Sequence, residues 1–277
     1  MAHTYYSRRH GLGPASKGLA LPKIAEHFAQ IYQQLQEAGY FQEAFGIDCT
    51  DGYQPGKIAN TSVDILLTIG KDDLWPVTSF FTSYSEDDLL DIIEYLYQNV
   101  SKPTHGTHHS WNNCGMHYDK FDLDLGRAEY REKINALLGH YVDKFELNED
   151  GVVLRKVDEG FEPIFAATLP SPDTRVESRV KSAISQFRRH GSSRDDQRQA
   201  VRDLADVFEL LRPQVKTFLA KKDEADLFNI ANNFGIRHYN DKQQTNYDEA
   251  LWLSWMFYFY LSTIHVMTRK IKQASNP

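Results

Sequence analysis

The chain has 277 residues, of which 41% are hydrophobic and 13% are aromatic, so it has enough apolar material for a substantial core. The charged fraction of 25% is ordinary for a globular protein and excludes wholesale disorder. The net charge of -7 argues against nucleic-acid binding by the whole chain, but residues 1–168 carry 14 Lys+Arg and 25 Asp+Glu, whereas residues 169–277 carry 17 and 13.

The first part of the chain mixes helical signals with turns. Residues 1–20 contain Gly, Pro and Ser without periodicity, which is typical of a mobile arm, and they lack the apolar segment of a secretory signal. Apolar residues then recur at helical spacing over 22–38, and a Gly- and Pro-rich stretch of turns follows. The run VDILLTI at 63–69 favours a strand.

Further helix and turn signals continue up to a proline-rich segment. Ser85 precedes three acidic residues, a pattern that predicts the start of a helix. The stretch 101–126 is rich in His and Gly and is interpreted as a loop, and apolar spacing predicts a helix over 127–141. The run FELNEDGVVLRKV predicts a β-hairpin.

The best domain boundary is the segment ATLPSPDT, where Pro170 and Pro172 lie and the charge balance changes sign. Beyond it the periodicity is helical, ending in an aromatic helix over 249–271. Ser193 or Ser192 can cap one of these helices, and Pro213 predicts a kink or break near Leu211.

The resulting expectation is a mostly α chain. An α+β front domain over 21–168 follows an arm over 1–20, and an all-α domain occupies 169–277. The apolar run LWLSWMFYFYLSTIHVM is short and interrupted by Ser, Thr and His, so it predicts a buried helix and no membrane contact.

The Cys and His residues offer a candidate metal site. Two cysteines, Cys49 and Cys114, do not make a disulfide scaffold, and they favour reduced thiols in a cytoplasmic protein. Imidazole and thiolate groups suit zinc. The spacing contains no CxxC pair and no HExxH helix, so we expect no cofactor and a polar loop, with zinc as the alternative. The weak candidate ligands are His105, His108, His109, Cys114 and His117, which Cys49 could join from a distance.

A second polar cluster precedes the aromatic helix. His can move protons near neutral pH, and the forked cation of Arg suits phosphate. The simple alternative is that these side chains shape a helix end and bond to nearby carbonyls. The residues of this cluster are Asn232, Asn233, Arg237, His238, Tyr239 and Asn240.

The second half of the chain resembles a HEPN domain (higher eukaryotes and prokaryotes nucleotide-binding) of the bacterial abortive-infection and phage-defence type. The resemblance is carried by NNFGIRHYND, by the aromatic helix ALWLSWMFYFYLSTIHVM and by RQAVRDLADVFELLRP. The front half, with GYFQEAFGIDC, DLWP and HSWNNCGMHYDKFDLDLGR, is similar to the uncharacterised N-terminal domain of such proteins.

The resemblance implies a helical bundle that forms a homodimer and cleaves RNA, such as tRNA, without a metal. His238 would be the general acid and base, Arg237 would hold the scissile phosphate, and Asn232, Asn233, Tyr239 and Asn240 would contact the substrate. The family Arg, which lies before the His in the motif, is missing here, and the adjacent Arg237 would take its place. The alternative is a non-catalytic module that binds RNA, an antitoxin or another defence protein.

Overall fold

The computed structural model describes residues 5–10, 18–157, 160–170, 173–216 and 248–275. The chain divides into two compact units, Met1–Arg155 and Lys156–Pro277. Helices dominate, and two small antiparallel sheets accompany them, which confirms the mostly α expectation. Within the described ranges, no helix has the length and apolar character needed to cross a membrane.

The first unit consists of helices, two hairpins and short turns. Its helices are α1 (Tyr6–Arg9), α2 (Leu21–Glu37), α3 (Gln42–Phe45), α4 (Thr61–Ile69), α5 (Val77–Phe80), α6 (Glu86–Asn99) and α7 (Leu123–Leu138). Its strands are β1 (Lys102–His109), β2 (Gly115–Asp122), β3 (Phe145–Leu147) and β4 (Val153–Arg155), and 3-10 turns cover Phe81–Ser83 and Trp111–Asn113.

The apolar faces of α2, α6 and α7 form the core of the first unit. These helices follow the spacing in the sequence, and Ser85 starts α6 with a capping box in which its side chain and that of Asp88 bond to each other's backbone N–H. The largest fully buried side chains of this core are Ile24, Phe28, Phe41, Ile65, Leu74, Leu89, Ile92, Ile93 and Tyr130.

The strand predicted over 63–69 is wrong, because this segment is the helix α4. The Asn60 side chain accepts a hydrogen bond from the Val63 N–H and caps the helix start, and Gly70 ends the helix in the left-handed conformation at φ +84. Only Ile65 of this helix is buried. The apolar residues of this segment show neither a clear helical nor a clear strand spacing, so the capping residues at its two ends favour the helix.

The loop predicted over 101–126 is also wrong, because most of it forms the antiparallel β1–β2 hairpin. The strands pair from Lys102↔Asp122 to His109↔Gly115, with register shifts around His105. A Cβ at Gly106 would lie 2.4 Å from the carbonyl oxygen of His117, so this glycine allows the strands to approach. The one hairpin that the sequence predicts, FELNEDGVVLRKV, is confirmed as β3 and β4.

The second unit is helical within the described residues. Its helices are α8 (Glu162–Ala166), α9 (Thr174–Arg188), α10 (Arg194–Val215) and α11 (Glu249–Ser275). Helix α10 packs against both α9 and α11. The buried side chains include Val180, Leu204, Phe208, Phe257, Tyr260, Leu261 and Ile264.

Two details of the second unit differ from the sequence expectations. Ser193 starts α10 with a capping box, as one of the two predicted caps, but the helix continues through Pro213 instead of breaking near Leu211. The division between the units lies before Pro170, because Ile164 and Phe165 pack against the helical core.

Candidate metal centre

Four potential metal ligands converge in the first unit at one end of the β1–β2 hairpin. Their ligand atoms all lie within 4.8 Å of one another, and each side chain is half-buried. We call this group the Cys2His2 cluster: it consists of Cys49, His109, Cys114 and His117.

The hairpin supplies three of the four ligands. In an antiparallel pair, directly opposed residues share a face, and so do residues two apart on one strand. His109 is opposite Gly115, and His117 lies two positions after Gly115, so both imidazoles project from the same face. Their ring centroids are 5.2 Å apart, and Cys114 directly precedes β2 in the connection between the two strands.

The fourth ligand comes from the loop that follows α3. A β-bridge pairs Ile47 with Gln54 and brackets Cys49 in a short turn. Gly46 takes a φ of +75 at the base of this turn, and a Cβ there would lie 2.2 Å from the Gln54 carbonyl oxygen. The backbone therefore requires glycine at this position for conformation and for space.

A glutamine side chain ties this loop region to the hairpin. The Gln42 amide donates to the Met116 carbonyl at 3.0 Å and accepts from the Tyr118 N–H at 3.1 Å. Gln42 is in α3, a few residues before Cys49. These two bonds hold the loop close to the hairpin through protein contacts alone.

Short nitrogen–sulfur contacts identify the ligand atoms. The Cys49 Sγ lies 3.4 Å from Nδ1 of His109, and the Cys114 Sγ lies 3.1 Å from Nε2 of His117. Ligands around a tetrahedral zinc ion at ordinary bond lengths lie about 3.4–3.8 Å apart. The observed contacts are close to that range.

The surroundings of Cys114 make its thiol harder to ionise unless a cation lies nearby. Desolvation raises the pKa of the Cys114 thiol, the adjacent Cys49 thiol adds to the rise, and a hydrogen bond from the backbone of Thr50 opposes it. Two thiolates this close repel each other without a cation. A divalent ion removes that repulsion and deprotonates both thiols.

The structure brings three of the five predicted hairpin ligands together and leaves two outside. His105 is exposed and pairs with Asp119 at 2.7 Å, and His108 is exposed on β1. Cys49 completes the set from a position 60 residues before His109. The available sequence signal was that Cys49 is the only other cysteine of the chain.

The predicted ribonuclease site lies outside the described residues. Its members are Asn232, Asn233, Arg237, His238, Tyr239 and Asn240.

Comparisons of the chain with protein-family models, with curated proteins and with solved structures find no significant match. The chemistry of the Cys2His2 cluster is therefore the basis for a functional assignment.

Proposed function

We propose that the first unit is a zinc-binding module in which one structural Zn²⁺ joins the β1–β2 hairpin to the loop containing Cys49. The observation that carries the proposal is the convergence of two sulfur and two nitrogen ligand atoms within 4.8 Å. Four protein ligands complete a tetrahedron and leave no open position for water, which is the pattern of structural zinc sites.

The donor types favour zinc over the hard cations calcium and magnesium. Calcium and magnesium prefer oxygen donors, and no carboxylate belongs to the cluster. Thiolate and imidazole together suit zinc, and two thiolates neutralise its charge.

The position of the cluster explains what the ion contributes. Every residue of the two strands is exposed or half-buried and none is fully buried, so hydrophobic burial stabilises the hairpin little. The ion would connect the two ends of a chain segment that includes α4, α5 and α6. Zinc binding therefore contributes directly to the stability of this part of the fold.

The test is the metal content of the full chain. Protein purified without chelators, and protein refolded with added zinc, should each hold one zinc ion per chain. Cys49→Ser and His117→Ala should lose it, whereas the matched control His108→Ala, on the same hairpin but outside the cluster, should retain it. Zinc-free wild-type protein that takes up no zinc contradicts the proposal.

As a second candidate, we propose that the second unit has the HEPN-type role implied by the sequence resemblance. The observation that favours it is the packing of α10 against the aromatic helix α11, the two helices that carry part of the resemblance. The role would be endoribonuclease activity in a homodimer, with His238 as general acid and base, or dimerisation and binding of RNA or a defence-system protein.

The two versions of this second candidate differ in their dependence on His238. Purified protein is incubated with total RNA and with tRNA in the presence of a chelator, beside His238→Ala. Cleavage that His238→Ala abolishes supports the enzyme. The absence of cleavage in every metal-free condition contradicts it and favours the binding module.

A further inference from the structure

We propose that Cys49 and Cys114 are an oxidisable pair: hydrogen peroxide converts the two zinc-bound thiolates into a Cys49–Cys114 disulfide and releases the ion. This inference rests on the proposed zinc site, since the same two sulfurs serve as ligands. It adds a covalent modification to that site and names the class of reagent that produces it.

The placement of the two thiols supports the inference. They are the only cysteines of the chain, and both belong to the Cys2His2 cluster. Their two sulfur atoms lie within 4.8 Å of each other, close enough to meet after a small movement of either side chain. Both side chains are half-buried, which lets a small oxidant reach them.

The reaction balances with one peroxide molecule. One thiolate sulfur attacks a peroxide oxygen and the O–O bond breaks, which gives a sulfenic acid and hydroxide. The second thiolate attacks that sulfur, the S–S bond forms and the S–O bond breaks, which releases a second hydroxide. The two sulfurs lose two electrons, the peroxide gains them, and two protons from solvent turn both hydroxides into water.

The loss of both thiolates removes the charge that holds the ion. The remaining ligands are the two imidazoles, which bind zinc far more weakly than the full set. The disulfide meanwhile connects the same two segments, the loop containing Cys49 and the turn that precedes β2. Oxidation would therefore exchange a metal cross-link for a covalent one at the same place.

The test treats the zinc-loaded full chain with increasing peroxide and follows two readouts. Free zinc is measured with a chromogenic chelator, and the cysteines are mapped by mass spectrometry of non-reduced peptides. We expect one zinc released for each intramolecular disulfide formed, and recovery of bound zinc after a phosphine reductant and added zinc. Cys49→Ser, which should already lack zinc, is the control for the disulfide mapping alone, and the zinc-binding variant His108→Ala should release zinc as the wild type does.

Two kinds of result would contradict the proposals, and they separate the disulfide from the zinc site. Zinc-loaded protein whose thiols stay reduced, or become separate sulfinic acids, or form disulfides between chains, contradicts the inference and leaves the zinc site intact as a proposal. A chain that holds no zinc before peroxide is added contradicts the zinc site itself, and the release step with it.

Discussion

The Asp51 carboxylate lies 3.4 Å from Nε2 of His109, while Nδ1 of the same ring faces the Cys49 sulfur at 3.4 Å. The two ring nitrogens thus have different partners. A carboxylate on one nitrogen orients the ring and raises its basicity as a metal ligand at the other. The Asp51 backbone N–H also points to the Cys49 sulfur at 3.4 Å.

This relationship predicts that Asp51→Asn lowers zinc affinity about 10–100-fold without removing a ligand. The amide keeps the size of the side chain but loses the charge that supports the imidazole. Competition with a chelator of known affinity measures the change. The exposed Asp48, on the same loop, gives the matched control Asp48→Asn, which should bind zinc as the wild type does. Equal affinity in Asp51→Asn and wild type would show that the carboxylate has no role.

The approach of β1 to β2 predicts a second effect on zinc affinity. Gly106→Ala places a methyl group 2.4 Å from the His117 carbonyl, so the strands must separate next to a ligand. We expect a lower zinc affinity together with a lower melting temperature. The exposed neighbour gives the control Thr107→Ala, which adds no atom between the strands. Unchanged zinc affinity in Gly106→Ala would mean that strand spacing does not set the ligand geometry.

The start of α6 predicts a pH-dependent contribution to stability. Burial raises the pKa of the Asp88 carboxyl, but hydrogen bonds from Lys71 at 2.6 Å and from Ser85 outweigh burial, so the net pKa is lowered. A lowered pKa in the folded state stabilises the fold above the ordinary pKa of Asp. That stability is lost as the pH falls through the lowered value.

Asp88→Ala should therefore reduce the free energy of unfolding by about 1–2 kcal/mol at neutral pH. The difference from wild type should shrink in acid, where the wild-type carboxyl is protonated. Denaturant unfolding at several pH values measures it, with the exposed Asp72→Ala as control. A difference that is constant with pH would contradict the assigned charge.

Shortening one buried side chain in the core of the second unit should strongly reduce the free energy of unfolding. Leu204 of α10 is fully buried, so Leu204→Ala leaves a cavity and should cost about 3–5 kcal/mol of unfolding free energy. Leu210 lies on the same helix and is 43% exposed, and Leu210→Ala should cost well under half as much. Thermal and denaturant unfolding compare the two variants. Similar losses in both would contradict the packing of α10.

Helices whose apolar residues recur at helical spacing are predictable from the sequence. Segments that lack this spacing are not. The spacing in α2, α6, α9 and α10 matches their buried faces, because each packs one side against a core. The sequence of α4 predicts a strand because only one of its apolar residues is buried, so no helical spacing is visible, and the helix depends on its end caps.

The metal centre was predictable only in part. A run of His and Gly has low strand propensity, so the hairpin that places His109 and His117 on one face was hidden in the sequence. Cys49 joins through a contact between residues 60 positions apart, and local spacing carries no information about such contacts. The candidate residues were visible, but which of them meet depends on tertiary structure.

Native mass spectrometry of the full chain, before and after a strong chelator, tests the central claim most directly. The zinc proposal predicts one zinc ion per wild-type chain, its loss with the chelator, its return on adding zinc, and no bound zinc in Cys49→Ser. A wild-type chain that stays metal-free in excess zinc, or a Cys49→Ser variant that binds zinc as tightly as wild type, would contradict it.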